Sequence, residues 1–184
     1  MVGSMKVFVA RHGESDWNAR SAVCGMGNGM LTEKGKAEAQ ALADKLKAGQ
    51  KKNQIKYIFV SPLQRARDTA SYTERALGLH AVVDDRLHEV YFGLLEDASY
   101  SDSEFNRIKN EPFVSFPEGE SLTRTAQRVY NFLDELKAKK LDGNVLLVCH
   151  GMMMKVVRTY FKDISMDEFR HFSVSNCALE EYEL

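Results

Sequence analysis

The sequence predicts an α/β fold built on a mostly parallel sheet, because short β-rich apolar runs alternate along the chain with longer segments of helical period, the pattern of strands joined by crossover helices. Two His-Gly pairs, His12-Gly13 and His150-Gly151, each directly follow an apolar run, which places both histidines where strands end. In an open α/β sheet ligands bind at the carboxyl ends of strands, where helix N-termini and turn amides converge.

The elements follow in order. Residues 6–10 form the first expected strand. Leu31-Thr32 then opens a helix with Thr32 as N-cap, buried through Ala37, Ala41, Leu42 and Leu46 and ended by Gly49. Residues 57–60 are the second strand, and Ser61-Pro62 supply the cap and first-turn proline of a helix running to about Leu77. Val82-Val83 reads as a short strand leading into residues 87–93. Residues 121–139 read as a long amphipathic helix with Val129, Phe132, Leu133 and Leu136 on its apolar side. Residues 145–149 are the most apolar strand, 152–161 the helix after it, and 178–182 alternate as an edge strand does. Residues 97–117 fit neither period and are expected to hold a short helix and a flap over the site.

A chain of 184 residues fits one domain, 1–184, with a core that needs neither disulfides nor metal staples. Met1 to Ser4, ahead of Met5, are set aside as an expression remnant or an alternative start. With 25 basic and 26 acidic residues the formal charge is -1, so no global field argues for nucleic acid or an acidic membrane as partner, and any anion binding is local. Cys24, Cys149 and Cys177 show no CxxC spacing and no secreted disulfide framework. No stretch approaches the roughly 18 apolar residues of a membrane span, and the opening segment has no signal-peptide core. A soluble, cytoplasmic protein is expected, as a monomer or homodimer.

Three strand ends deliver chemistry: Arg11-His12, Arg65 one turn into the following helix, and His150. Guanidinium forks match phosphoryl oxygens, and a neutral imidazole can attack phosphorus. Taken singly, each residue also has a structural reading: His12 as a turn cap, His150 as a satisfied core histidine, Arg65 as a solvated helix residue with Arg67 as its rival. Trp17 and Met152 to Met154 read as packing.

The chain resembles the histidine phosphatase superfamily, which includes cofactor-dependent phosphoglycerate mutases and many small phosphatases. The likeness spans nearly the whole chain, through residues 11–18 (RHGESDWN), 31–35 (LTEKG), 61–70 (SPLQRARDTA), 87–93 (LHEVYFG), 119–121 (GES) and 148–151 (VCHG), in the family's order. The resemblance implies a three-layer sandwich with helices on both faces of the sheet. It implies His12 as the nucleophile and Arg11, Arg65 and His150 as the phosphate pocket, with His150 also stabilising transition-state charge. It implies Glu89 as general acid, then as base toward the water that hydrolyses phosphohistidine. On charge alone Glu96, Asp84 and Asp85 compete with Glu89, and the Phe92-Gly93 register selects it. Asn18 is expected to donate to phosphate, and Ser15, Cys24, Gly25 and Gly151 to complete the substrate contacts. The scheme needs no metal and no cofactor, and its partner is a small phosphorylated substrate.

Three rival classes are weaker. A cysteine phosphatase on Cys149 would want Arg six residues on, where this chain places Lys155 near that position. A metallohydrolase lacks HExxH and paired ligand spacing. A non-catalytic phosphate-binding module would keep the fold with an altered pocket, whereas every catalytic position is filled here. Between phosphatase and mutase, the segment from Glu89 to His150 is short, has no Arg-Arg pair for a second phosphate, and carries Val90 where mutases usually have Arg. A shorter flap admits water to phosphohistidine, so hydrolysis is expected, at an acid-side optimum. Mutase chemistry, with 2,3-bisphosphoglycerate as cofactor, is the alternative, since the first two motif blocks look as much like mutases.

Overall fold

Alternation along the central strands sorts the core into two layers. Within β1 (Lys6–Arg11) and β4 (Asn144–Cys149), Val7, Val9, Val145, Leu147 and Cys149 enter one apolar cluster, while Phe8, Ala10, Leu146 and Val148 enter the other. A strand apolar at every position is buried on both faces, as a parallel sheet covered by helices on each side requires. The computed structural model describes residues 5–184, so the segment Met1 to Ser4 lies outside the described residues.

After β1 come a one-turn helix α1 (Asp16–Ala19), α2 (Glu33–Ala48), the short α3 (Gln50–Asn53), β2 (Ile55–Val60), α4 (Gln64–Leu77) and β3 (Ala81–Val83). Then follow α5 (Ser103–Ile108), α6 (Leu122–Ala138), β4, α7 (Gly151–Phe161), α8 (Met166–His171) and β5 (Leu179–Glu183). The sheet order is β3-β2-β4-β1-β5, with β1, β2, β3 and β4 parallel and β5 antiparallel on the β1 edge. Leu42 and Leu46 of α2 and Ala66 and Ala70 of α4 cover one face. Val129, Phe132, Leu133 and Leu136 of α6 and Met153 and Val157 of α7 cover the other. The fold is the expected three-layer α/β sandwich.

Two local expectations are corrected. Helix α4 begins at Gln64, not at Ser61-Pro62, because Ser61 still extends the sheet ladder through its N–H to Val148 O, and its hydroxyl accepts the Leu63 N–H ahead of the helix. In α2 the buried alanines are Ala39 and Ala43, while Ala37 and Ala41 face solvent. The phase of that helix is set by Gly35, Ala39, Leu42 and Leu46, a stripe spaced for one helical face.

Gly35 shows why this phase is imposed. Its Cα lies so close to the turn after β1 that a β-carbon there would stand 2.0 Å from Glu14 O, and one on Gly13 would stand 2.3 Å from Gly35 O. The Thr32 N–H donates to Glu14 O at 3.0 Å, Thr32 Oγ1 to Glu14 Oε1 at 2.9 Å, and Lys34 Nζ to Glu14 Oε2 at 2.6 Å. The motif blocks 11–18 and 31–35 therefore meet as one glycine-to-glycine contact that seats the turn after β1 on α2. Gly35→Ala should lower stability by about 1–3 kcal/mol, the usual cost of forcing atoms into a packed site. Thermal unfolding measures this, and an unaltered melting temperature would disprove the contact's role.

Candidate active site

The three central strands end side by side. The His12 N–H donates to Cys149 O at 3.0 Å and the Ser61 N–H to Val148 O at 3.1 Å, so β1, β4 and β2 deliver His12, His150 and Ser61 to one edge. The imidazoles of His12 and His150 lie with centroids 5.1 Å apart, tilted by 59°. The catalytic turn is pinned from two further sides. Thr69 Oγ1 on α4 accepts the Gly13 N–H at 3.0 Å, and Asn176 Nδ2 donates to His12 O at 3.0 Å.

His12 Nδ1 lies 2.7 Å from Gly13 O. A carbonyl only accepts, so Nδ1 carries the proton and the neutral ring presents its lone pair at Nε2. Arg65 Nε donates to that atom at 3.2 Å. Burial, then the Arg65 and Arg11 guanidiniums, hold His12 well below the ordinary histidine value. His150 is lowered well below it too, by burial and then by Arg65, His12 and Arg11. Both rings therefore stay neutral into acid, as a nucleophile needs.

Arg65 is 1% exposed, and its outer N–H groups go to backbone: Nη1 to Gly27 O at 2.9 Å, Nη2 to Cys24 O at 3.0 Å and Gly25 O at 2.8 Å. It thus places charge beside His12 and holds the loop after Val23. Arg11 Nη1 donates to Val174 O at 2.5 Å, and Gly151 lies against its guanidinium. His150 Nε2 pairs with Ser61 Oγ at 2.7 Å. Among the described residues, Arg11 Nε and His150 Nδ1 are buried polar atoms without a hydrogen-bond partner. Buried polar groups are satisfied in nearly every native setting, so two orphans flanking a nucleophilic imidazole mark where ligand oxygens belong.

Glu89 is buried at the N-terminus of α7. Its Oε1 accepts the Val90 N–H at 2.9 Å and the Met153 N–H at 3.0 Å, and Oε2 accepts the Met152 N–H at 3.1 Å. The loop that carries it is clamped from α6. Arg128 donates to Glu89 O at 3.1 Å and Arg86 O at 2.6 Å while forming an ion pair with Glu120 at 2.7 Å, and Glu120 also accepts the Tyr91 N–H at 3.1 Å. Gly93, at φ +55°, closes the loop where a β-carbon would stand 1.9 Å from Pro117 O. This clamp explains the 119–121 block: Glu120 holds Arg128, and Ser121 caps α6 by accepting the Arg124 N–H.

The five expected catalytic residues gather at this edge. The expected substrate contacts distribute differently. Ser15 is fully buried and forms a capping box with Asn18. Asn18 Oδ1 accepts from Ser15 and Asn176, and its Nδ2 donates to Tyr100 OH at 3.2 Å. Cys24 and Gly25 serve Arg65 through their carbonyls, and Cys24 and Gly151 line the adjoining pocket. Asn176, Arg128, Lys109 and the pocket-lining role of Lys155 are additions that sequence reading did not supply. Burial pushes the Cys149 thiol far up, which leaves it no thiolate to act as nucleophile. Among the described residues no cluster of His, Cys, Asp or Glu is arranged to hold a metal ion, and no helix is long and apolar enough to cross a membrane.

Residues 7–184 match the model of the histidine phosphatase superfamily (branch 1). The chain belongs to the histidine phosphatase superfamily. Its superfamily relatives include proteins named probable phosphoglycerate mutase GpmB from Photorhabdus laumondii, 30% identical over 182 residues, and from Yersinia pestis, 31% identical over 183 residues. Each match covers 95% of this chain and 83% of the relative. Among solved structures, mycobacterial glucosyl-3-phosphoglycerate phosphatase in complex with VO3 superposes with a TM-score of 0.84 at 27% identity, over 96% of this chain and 92% of that one. The alpha-ribazole phosphatase from Shigella flexneri shares the fold at a TM-score of 0.82 and 23% identity, over 96% and 89%. Superfamily membership accounts for the motif order, and the geometry above gives each block its physical task.

The two neutral histidines make stability depend on pH with a definite sign. Their folded pKa values lie below the unfolded value near 6.5, so below that pH the unfolded chain binds protons that the native state refuses. Stability is complete above about pH 6.5 and falls on acidification, by up to ~1.4 kcal/mol per pH unit for each ring. His150→Gln should therefore lose about 1–2 kcal/mol less than the parent between pH 7.5 and 5.0. Urea unfolding at the two pH values checks this, and parallel losses would mean that His150 is not held neutral.

Proposed function

We propose that the protein is a metal-independent phosphomonoester hydrolase that works through a phosphohistidine on His12. The observation that carries this reading is the lone pair of His12 Nε2 at the same strand edge as two buried, unpartnered nitrogens, Arg11 Nε and His150 Nδ1, with the Glu89 carboxyl group at the neighbouring helix N-terminus. Attack of Nε2 on phosphorus breaks the ester P–O bond. The departing oxygen takes a proton from Glu89, and charge on the equatorial oxygens is met by Arg11, Arg65 and His150. Glu89, now a carboxylate, takes a proton from water as that water attacks phosphohistidine, releasing inorganic phosphate and restoring the imidazole.

Phosphoryl transfer between positions of a phosphoglycerate is the second reading, favoured by the names of the GpmB relatives. It shares the first half-reaction and differs in the acceptor of the phosphoryl group. A non-catalytic role has less support, since nucleophile, acid and phosphate donors are all present at one strand edge.

Phosphate release from a panel of esters in the presence of EDTA, followed beside isomerisation of 3-phosphoglycerate with and without 2,3-bisphosphoglycerate, tests these readings. His12→Ala should retain the circular dichroism of the parent and lose roughly 10³-fold or more of the turnover. Wild-type rates in that variant would refute the phosphohistidine route. Isomerisation outpacing hydrolysis would instead establish the mutase. Glu89→Gln should slow alkyl esters by about 10²-fold or more and p-nitrophenyl phosphate much less, because only the poor leaving group needs the proton. Equal losses on both would remove Glu89 from the acid's role.

A further inference from the structure

Beside the phosphate site opens a cavity of about 280 Å³, lined by Arg11 and Glu89 on the side of the reacting group and by Lys109, Lys155 and Arg170 beyond it. The lysines come from distant segments: Lys109 caps α5, and Lys155 lies in α7 five residues after His150. Lys155 is only 8% exposed, its ammonium 5.0 Å from the Phe169 ring and 3.4 Å from Arg170 O. Lys109 sits with its ammonium 5.3 Å from the Phe105 ring.

Buried ammonium groups are normally paired with carboxylates. Here the charged neighbour of Lys155 is the like-charged Lys109. Burial and that neighbour push Lys155 down to about 8, and burial alone lowers Lys109. Of the residues lining the cavity, only Glu89 is a carboxylate, and it is bound by the amides of α7. The pocket is thus a cationic chamber without a counter-charge of its own.

We propose that this chamber binds a second anionic group of the substrate on Lys109 and Lys155, which makes the enzyme selective for small phosphomonoesters that carry a carboxylate or another phosphate. The inference rests on the hydrolase reading above and adds the substrate class. Geometry limits the substrate's size. Arg11 and Glu89 line the same cavity as Lys109 and Lys155, so both anions of one substrate must fit within it. At about 280 Å³ that cavity admits only a small ester. The sequence reading, which counted basic residues only between Glu89 and His150 and found no site for a second anion, missed this because Lys155 follows the second histidine.

Three probes separate the possibilities: glycerol 3-phosphate, 3-phosphoglycerate and glycerol 1,3-bisphosphate, which differ at the far carbon as hydroxyl, carboxylate and phosphate. The wild-type kcat/KM should favour at least one anionic probe over glycerol 3-phosphate by about tenfold or more. Lys155→Met should reduce that ratio about tenfold, with Lys109→Met acting in the same direction and Lys155→Arg preserving most of it. Which anionic probe is preferred identifies the second group. No preference in the wild type, or ratios that survive both methionine variants, would overturn the assignment. Turnover of p-nitrophenyl phosphate reports on the hydrolase reading by itself. If it is absent, calorimetric binding of 3-phosphoglycerate and glycerol 1,3-bisphosphate to His12→Ala protein still tests the chamber, and affinities that neither methionine variant weakens about tenfold would refute it. Melting temperatures verify folding, since Lys155→Met removes a buried charge beside a like charge and with it the contact to Arg170 O.

Discussion

Arg65 cannot give up its charge, and it lies at the bottom of the site with almost no access to water. Four of its five N–H donors are met inside the protein, and the partners it takes organise the rest. Three carbonyls of the 24–27 segment turn inward to satisfy its outer nitrogens, which fixes a glycine-rich loop that would otherwise be free to wander. Its Nε faces His12 Nε2. Burial does most to keep both imidazoles neutral, and the same positive charge adds to it, so the guanidinium that sets the loop's shape also opposes protonation of His12 and His150.

Holding such a charge requires a rigid frame, and the frame is the glycine contact between the catalytic turn and α2. Gly13 and Gly35 let two backbones approach more closely than any side chain allows, while Thr69 links the Gly13 amide to α4, the helix that carries Arg65. Displacement of either helix would shift His12 and Arg65 relative to each other. On the opposite side, Arg128 and Glu120 perform a comparable task for Glu89 by clamping its backbone, so the proposed acid is aimed by α6 and anchored on α7.

The strands and the long helices were legible from apolar runs and helical period, and Arg11, His12, Arg65 and His150 from their places at strand ends, whereas Glu89 and the roles of all five came from the family resemblance. The helix start at Gln64 was not legible, because Ser61 reads as a cap by type but is claimed by the sheet ladder and by His150. The phase of α2 was missed for a similar reason. Alanine at 37, 39, 41 or 43 gives no preference by itself, and the choice is made by the tertiary demand that Gly35 face Glu14. Asn18 and Ser15 looked like ligand contacts, yet their hydrogen bonds largely close the α1 turn. The partners of Arg65 were invisible in principle, since a carbonyl oxygen has the same identity at every residue.

The chamber of Lys109 and Lys155 shows where sequence reading reaches its physical limit. Each lysine lies on its own helix, and only the folding of α5 and α8 against α7 brings them to one cavity. Without an anion, two neighbouring ammonium groups lose hydration and repel each other, and the contacts of Lys155 with Arg170 O and the Phe169 ring supply no full negative charge to offset this. The phosphate site beside it has the same character, with Arg11 Nε and His150 Nδ1 buried and unpaired. Both regions hold positive or polar groups without full internal compensation, and Arg11 and Glu89 line the cavity that the two lysines share. A ligand with one phosphate would relieve only half of that imbalance. One with a second anion at short reach would relieve both, and the difference between those two energies is the physical source of the substrate selectivity proposed here.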